Sequence, residues 1–566
     1  MRVRSVAIAI GLTVAFFLWH SALLSPEGRV RGFSSDAAVI GLMGKRMLEG
    51  RGFDLFFWGQ NYVGPLTSIF IAGAGAVIGT VDPLALRIGT FAETLLGILL
   101  AGWAVSRIDR RAGVITAIAL AITPPTVLRM MITPLGAEMA FVLSAALLCV
   151  LLQQLTAPAN EGWLSRAGGQ CAFGMLTGFS WWMNQQVIFT LMAAAVVFGW
   201  QSHLFGAVRR QLHLRDRLLL RWDAIGWRRM PGVIEAFVWV IVGSGYLLLL
   251  AFLVRDLLRL HTLPFVIGPV ADPLVLILVP QLLLPLLLGE WRRWRLPQGE
   301  EWNEVRTVLR FAAGFVIGYT PVWLGRILGW YEPSYVFSIA ISRPSFAVRQ
   351  FRFFVEQMAA HWAGLAPGIL GGAFALILCI TIGYAVLRIW RGEPQSRARA
   401  LLAWIPLLNF VFFLFSNVTK PHYLIASVAM LFGLAALGAT DLWDRLHGWS
   451  RSIVLAFGVI AVLSMGLSAK AMRDDVLVQK DPAILLDRIR ANDCAVCYAD
   501  FWIAYRFRLL DGERCAWIPY LSQNRTVAES IVMRQRAGQR CIARNDWTVA
   551  RIDHDPPLAY KPPRGE

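Results

Sequence analysis

Gly64-Pro65-Leu66-Thr67-Ser68-Ile69-Phe70-Ile71-Ala72-Gly73-Ala74-Gly75-Ala76-Val77-Ile78-Gly79 is apolar enough to enter a membrane, and its reading decides how the whole chain is threaded. Counted as a full crossing, it would put Arg107, Arg110 and Arg111 outside the cell and would invert every later basic loop. Lys and Arg are biased toward the cytoplasmic side of membrane proteins, so the stretch is read instead as a helix half-sunk in the outer leaflet.

Working outward, the rest of the chain is just as apolar. Of 566 residues, 57% are hydrophobic and only 16% charged, against about 25% charged in soluble domains. Mean hydropathy is +0.56. Apolar runs of about 20 residues recur, enough to cross roughly 30 Å of hydrocarbon. The net charge of +18 does not point to nucleic acid, because the arginines lie in short segments between apolar runs rather than in one basic domain. Met1-Arg2-Val3-Arg4 followed by Ser5 to Leu24 looks like a signal peptide, yet no small-x-small cleavage site follows, and it is read as an uncleaved first helix.

With 64–79 kept out of the count, spans are predicted near 86–106, 112–127, 138–155, 168–184, 185–200, 232–254, 272–289, 307–328, 365–387, 399–416, 423–440 and 452–470. With the first helix they make about thirteen crossings. Arg209, Arg210, Arg215, Arg217, Arg221, Arg228 and Arg229 then fall in one cytoplasmic loop, and Arg292, Arg293 and Arg295 in another. The expected fold is an all-α polytopic membrane domain over residues 1–470, with a first outer loop at 25–85. Residues 471–566 are expected to form a small extracytoplasmic α/β domain, since short alternating stretches such as Cys497-Tyr498-Ala499 follow a helix-like piece at 483–491.

Cys149, Cys171 and Cys379 lie in apolar runs and read as small buried hydrophobes. Cys494, Cys497, Cys515 and Cys541 lie in the polar tail. They permit two disulfides if that tail is outside the cytoplasm, ahead of free thiols or a zinc site, because no second CxxC accompanies Cys494-x-x-Cys497.

The outer loops hold the candidate chemistry. In Phe33-Ser34-Ser35-Asp36, a serine caps a helix that ends at Gly50, and Asp36 sits in its first turn. On spacing alone Asp36 need only complement the helix dipole, worth about 0.3–1 kcal/mol. Phe53-Asp54-Leu55-Phe56-Phe57-Trp58-Gly59-Gln60-Asn61-Tyr62-Val63-Gly64-Pro65 is rich in interfacial aromatics. Within it Gln60, Asn61 and Tyr62 offer directional hydrogen bonds suited to a polyhydroxy ligand. Glu138 opens a span, as a dipole partner or as a site residue. Glu93 lies inside an apolar run, where an acid is costly and either functional or bonded to a neighbouring helix. Lys420 and His422 occupy a short outer loop, as snorkelling residues or as cations for a phosphate.

The acid opening an amphipathic helix in the first outer loop, then Phe56-Phe57-Trp58-Gly59-Gln60-Asn61-Tyr62-Val63-Gly64-Pro65-Leu66 and a second surface helix, resembles the GT-C superfamily of glycosyltransferases. The closer likeness is to bacterial members grouped with family 39, the protein O-mannosyltransferase-like enzymes. It is specific mainly in residues 33–66. Weaker echoes are Gly136-Ala137-Glu138, Gly178-Phe179-Ser180-Trp181-Trp182, Lys420-Pro421-His422-Tyr423-Leu424 and the tail segment 498–506.

The resemblance implies an inverting transferase of the bacterial cytoplasmic membrane, with its site and tail facing outside, that takes sugar from a polyprenyl-phosphate carrier. It implies a glycolipid, polysaccharide or protein acceptor and makes Asp36 the catalytic base. Lys420, His422 and Arg343, with Arg349 and Arg352, become candidates to meet the leaving phosphate; Gln60, Asn61, Tyr62 and Glu138 become candidates to bind substrate. No cofactor is firmly implied, and a divalent metal remains compatible. The sequence departs from the pattern where relatives carry a second acid beside Asp36, here Ser35 and Ala37, and where they carry an acid at Thr67.

Two other readings stand beside the transferase. One is a transporter or flippase of lipid-linked saccharides, which would place ionisable groups at mid-membrane. The other is a non-catalytic scaffold. No Walker A sequence and no GxGxxG after a strand occurs, which argues against a primary pump.

Overall fold

In the computed structural model, residues 3–19, 34–58, 63–122, 134, 136, 138–157, 162–199, 300–328, 344–355, 369–393, 395–415, 424–447, 449–478, 483–499, 501–510, 515–519, 538–543 and 549–552 are described. The expected spans near 232–254 and 272–289 lie outside them. The first half holds α1 (Val3–Trp19), α2 (Ser35–Leu48), α3 (Leu66–Ile78), α4 (Pro83–Val105), α5 (Arg110–Ala121), α6 (Glu138–Thr156), α7 (Ala167–Met183) and α8 (Ile188–Gly199). The second half holds α9 (Glu300–Gly318), α10 (Thr320–Ile327), α11 (Pro344–Phe353), α12 (Ile369–Trp390), α13 (Ser396–Phe415), α14 (Ile425–Arg445) and α15 (Trp449–Val478).

Among the described residues, five helical stretches are long and apolar enough to cross a membrane: Pro83–Val105, Glu138–Thr156, Ile369–Trp390, Ser396–Leu414 and Val454–Ala471. Leu376 and Ile380 on α12, and Leu455, Val459 and Leu463 on α15, face outward and are exposed over about half their surface. Outward apolar faces on long helices suit hydrocarbon rather than water. The chain is an integral membrane protein.

The 13-residue α3 spans about 20 Å and is too short to cross. It does not lie flat, however. A Cβ at Gly89 would meet Ile71, and one at Gly75 would meet Val81, so α3 runs antiparallel along the first half of α4. The chain therefore enters α3 from well below the start of α4.

Among the described helices, α7 and α9 pack backbone against backbone. Gly174-x-x-x-Gly178 faces Gly314-x-x-x-Gly318: Cβ atoms built there would lie 2.1 and 2.2 Å from the Phe311 and Phe315 carbonyl oxygens, and 1.9 and 2.1 Å from those of Cys171 and Met175. The contacts are reciprocal and advance together, so the two helices are parallel and related by a local two-fold axis. Only glycine allows backbones this close. The span expected over 307–328 starts earlier, at Glu300, and breaks at Tyr319, because Pro321 brings no N–H to continue the helix.

At one end of the bundle three short connections share an ion network. Arg388 pairs with Glu393 and Asp441, and Arg399 pairs with Asp441 through Nη1 at 2.5 Å. Arg445 reaches Glu393 at 3.1 Å, and Arg111 grips Asp444 through two bonds of 2.9 and 2.6 Å. The connections 107–111, 388–399 and 441–451 are those the threading puts together on the cytoplasmic side.

The tail is a small α/β unit: α16 (Ala483–Ala491), β1 (Cys494–Ala499), α17 (Phe501–Leu510), β2 (Ala516–Pro519), β3 (Gln539–Ala543) and β4 (Val549–Ile552). Strand order is β2-β1-β3-β4, with β1 parallel to both neighbours and β4 antiparallel to β3. Disulfides join Cys494 to Cys541 and Cys497 to Cys515. α15 runs without a break past position 470 to Val478, so the last long apolar helix continues toward the C-terminal unit.

Candidate functional site

α2 forms because Ser34 caps it: its Oγ accepts the Ala37 N–H at 3.1 Å. Asp36 lies in the first turn, half-buried, with its Oδ1 shut away from solvent. Beyond it, Ala37, Ala38, Val39, Ile40, Leu42 and Met43 are all buried. A 14-residue helix buried on so many sides is held by its surroundings rather than by propensity.

Three walls enclose it. A Cβ at Gly44 would lie 3.0 Å from the Ser68 carbonyl oxygen of α3, and one at Gly41 would lie 2.9 Å from Leu86 of α4. The third wall is α17 of the tail, whose Tyr505 and Leu509 share one apolar cluster with α2. Tyr505 lies on the seam between the tail unit and α2, and the unit's own core takes Phe507, stacked on Trp517 at 5.2 Å. The Trp502 side chain lies outside the described residues.

The loop after α2 is tied to the rest of this end. Phe57 N donates to Val63 O at 2.8 Å, Gly64 N to Met183 O at 3.0 Å, and Trp182 Nε1 to Leu55 O at 3.0 Å. Asn184 Nδ2 donates to Gly136 O at 3.0 Å, which brings the start of α6 to the same place. The loop after α2, the approach to Glu138 and the end of α7 therefore converge.

Glu138 is the first residue of α6 and fully buried. Its neighbour is Glu93 of α4, also fully buried, with the Thr67 hydroxyl beside that carboxyl. The pair fits the helix packing, since a Cβ at Gly97, one turn on from Glu93, would strike Phe141, one turn on from Glu138. The sequence flagged both acids but gave no sign that they meet. Among the described residues no three His, Cys, Asp or Glu side chains converge as metal ligands. Thr67, standing where relatives carry an acid, contributes a hydroxyl to this depth and no third carboxylate. Gln60, Asn61, Tyr62, Arg343, Lys420 and His422 lie outside the described residues.

No known family profile matches the sequence, and no curated protein matches it. Solved structures do. The oligosaccharyltransferase of Archaeoglobus fulgidus in complex with Zn and sulfate aligns with TM-score 0.50 and 14% identity, over 95% of this chain and 68% of its own. The fold is GT-C-like. The apo form of the same enzyme aligns at 0.46 and 13%, over 91% of this chain and 64% of its own, so this chain spans about two thirds of that protein. ArnT from Cupriavidus metallidurans bound to undecaprenyl phosphate aligns at 0.44 and 13%, over 94% and 93%.

Proposed function

We propose that this protein is an inverting glycosyltransferase. It takes sugar from a polyprenyl-phosphate carrier to a hydroxyl acceptor outside the cytoplasm, with Asp36 as general base. The observation that carries the reading is where Asp36 lies: on an enclosed helix beside the converging outer loops, far along the bundle from the arginine network. α4 separates the two ends, with Leu86 against α2 at its start and Arg107 just past its end, about 32 Å apart. The positive-inside bias favours the arginine end as cytoplasmic, which leaves Asp36 and the tail outside. The tail's two disulfides fit an oxidising compartment.

In this reading Asp36 accepts the proton from the acceptor hydroxyl as that oxygen bonds to the anomeric carbon. The bond from that carbon to the phosphate oxygen breaks on the opposite face, and polyprenyl phosphate leaves with the electron pair. Arg343, Lys420 and His422 are proposed to stabilise the leaving phosphate, and Gln60, Asn61, Tyr62 and Glu138 to bind the sugar. The GT-C-like fold supports the class of reaction; the acceptor is a glycolipid, polysaccharide or protein.

One observation favours lipid-saccharide translocation instead. Glu93 sits ten residues along α4 from Pro83, at membrane depth, facing a second acid. Incubating purified protein with radiolabelled polyprenyl-phosphate sugars and membrane acceptors separates the two. A transferase moves label to the acceptor, whereas a translocase leaves the carrier intact.

A further inference from the structure

α17 has two apolar faces, and a free-standing α/β unit would need one. Ala504 and Phe507 pack on the sheet with Trp517 and Cys515, while Tyr505 and Leu509, one helical turn apart, pack on α2 with Ile40, Met43 and Phe57. Both are buried, Tyr505 at 1% exposure. The contact is tightest at Gly41, where a Cβ would come within 3.1 Å of Leu509 Cδ2.

α2 needs that wall. It is short, and it contains Gly41 and Gly44 in its interior, each of which weakens a helix relative to alanine. Among the described residues, α3 and α4 cover two sides and α17 covers a third. The wall is itself braced, because the Cys497–Cys515 disulfide joins the end of the chain that enters α17 to the end that leaves it.

We propose that Leu509 and Tyr505 are positioning residues, through which the C-terminal unit sets the place of Asp36 from the far side of α2. This rests on the transferase reading for its kinetic consequence, but the mechanical coupling stands apart from it. Neither side chain acts on substrate; they hold the helix that carries the base. A displacement of about 1 Å at a reacting group can cost about 100-fold in rate.

The test uses the full-length protein in detergent or nanodisc, with Leu509→Ala, Leu509→Met and wild type. Hydrogen exchange is read over residues 35–44 and, as a control, over α4, alongside kcat and donor KM. The expected result is faster exchange across α2 in Leu509→Ala with α4 unchanged, a kcat lowered by about 10- to 100-fold, an unchanged donor KM, and recovery of both readouts in Leu509→Met. Unchanged α2 exchange in a folded Leu509→Ala overturns the proposal, as does a loss confined to KM. If wild type transfers no sugar while α2 still loosens in Leu509→Ala, the transferase reading fails and the coupling survives.

Discussion

Gly178 on α7 and Gly318 on α9 stand so close across the helix interface that neither can carry a side chain: Cβ atoms would fall 2.2 Å from Phe315 O and 2.1 Å from Met175 O. α7 ends at Met183, whose carbonyl receives Gly64, so this interface sets the height of the wall beneath the outer loops. Gly178→Ala or Gly318→Ala should force the backbones apart and cost about 1–3 kcal/mol. Gly73→Ala on α3, with nothing within 4 Å of its Cβ, should cost nothing of the kind. Thermal melts of the three variants in one detergent check this.

Asp441 should be the most sensitive charge at the other end. It is almost fully buried between Arg399 and Arg388, and Arg399 is as buried as its partner. Asp441→Asn leaves a buried guanidinium without its counter-charge, a change that typically costs 3–5 kcal/mol. Asp444→Asn, whose partner Arg111 is half exposed, should cost about 1 kcal/mol or less. Comparing the two melting temperatures tests the ranking.

Glu393 gives the same end a pH dependence. Burial pushes its carboxyl up, but the hydrogen bond from Arg388 and the charges of Arg388, Arg445 and Arg391 outweigh it and hold it below 4.5. A carboxyl lowered in the folded state stabilises above its unfolded value and loses that contribution as pH falls through the folded one. Melting temperature should therefore fall as pH drops below about 4.5, and Glu393→Gln should blunt that part of the fall. Equal slopes in both proteins would contradict the assignment.

The tail's disulfides predict a thiol count. Alkylation of unreduced, denatured protein should modify Cys149, Cys171 and Cys379 only, and reduction should expose four more sites. Mass spectrometry reads the difference directly. Losing the Cys497–Cys515 link, which closes an 18-residue separation, should cost about 3 kcal/mol of tail stability.

Much of this was legible in the residues. Apolar length gave the spans and arginine placement gave their relative sides, so 107–111, 388–399 and 441–451 do meet. Ser34 and Asp36 announced the start of α2, and the short Gly-Ala stretch at 64–79 could be kept from spanning. What escaped was whatever depends on two distant segments touching. Gly174-x-x-x-Gly178 and Gly314-x-x-x-Gly318 are visible as motifs, but nothing local says that they face each other across 140 residues. Glu93 and Glu138 read as separate acids for the same reason. Nor does the sequence name what Tyr505 packs on, because an apolar helix face does not say what covers it; the clue was that α17 is apolar on two faces.

The central claim is that Asp36 takes the proton during sugar transfer, and one measurement reaches it most directly. Wild type and Asp36→Asn are compared for transfer from radiolabelled polyprenyl-phosphate sugars, with melting temperature confirming that both are folded. The account predicts label on the acceptor with wild type and at least about 100-fold less with Asp36→Asn, within the range for removal of a general base. Transfer by Asp36→Asn at the wild-type rate would contradict it.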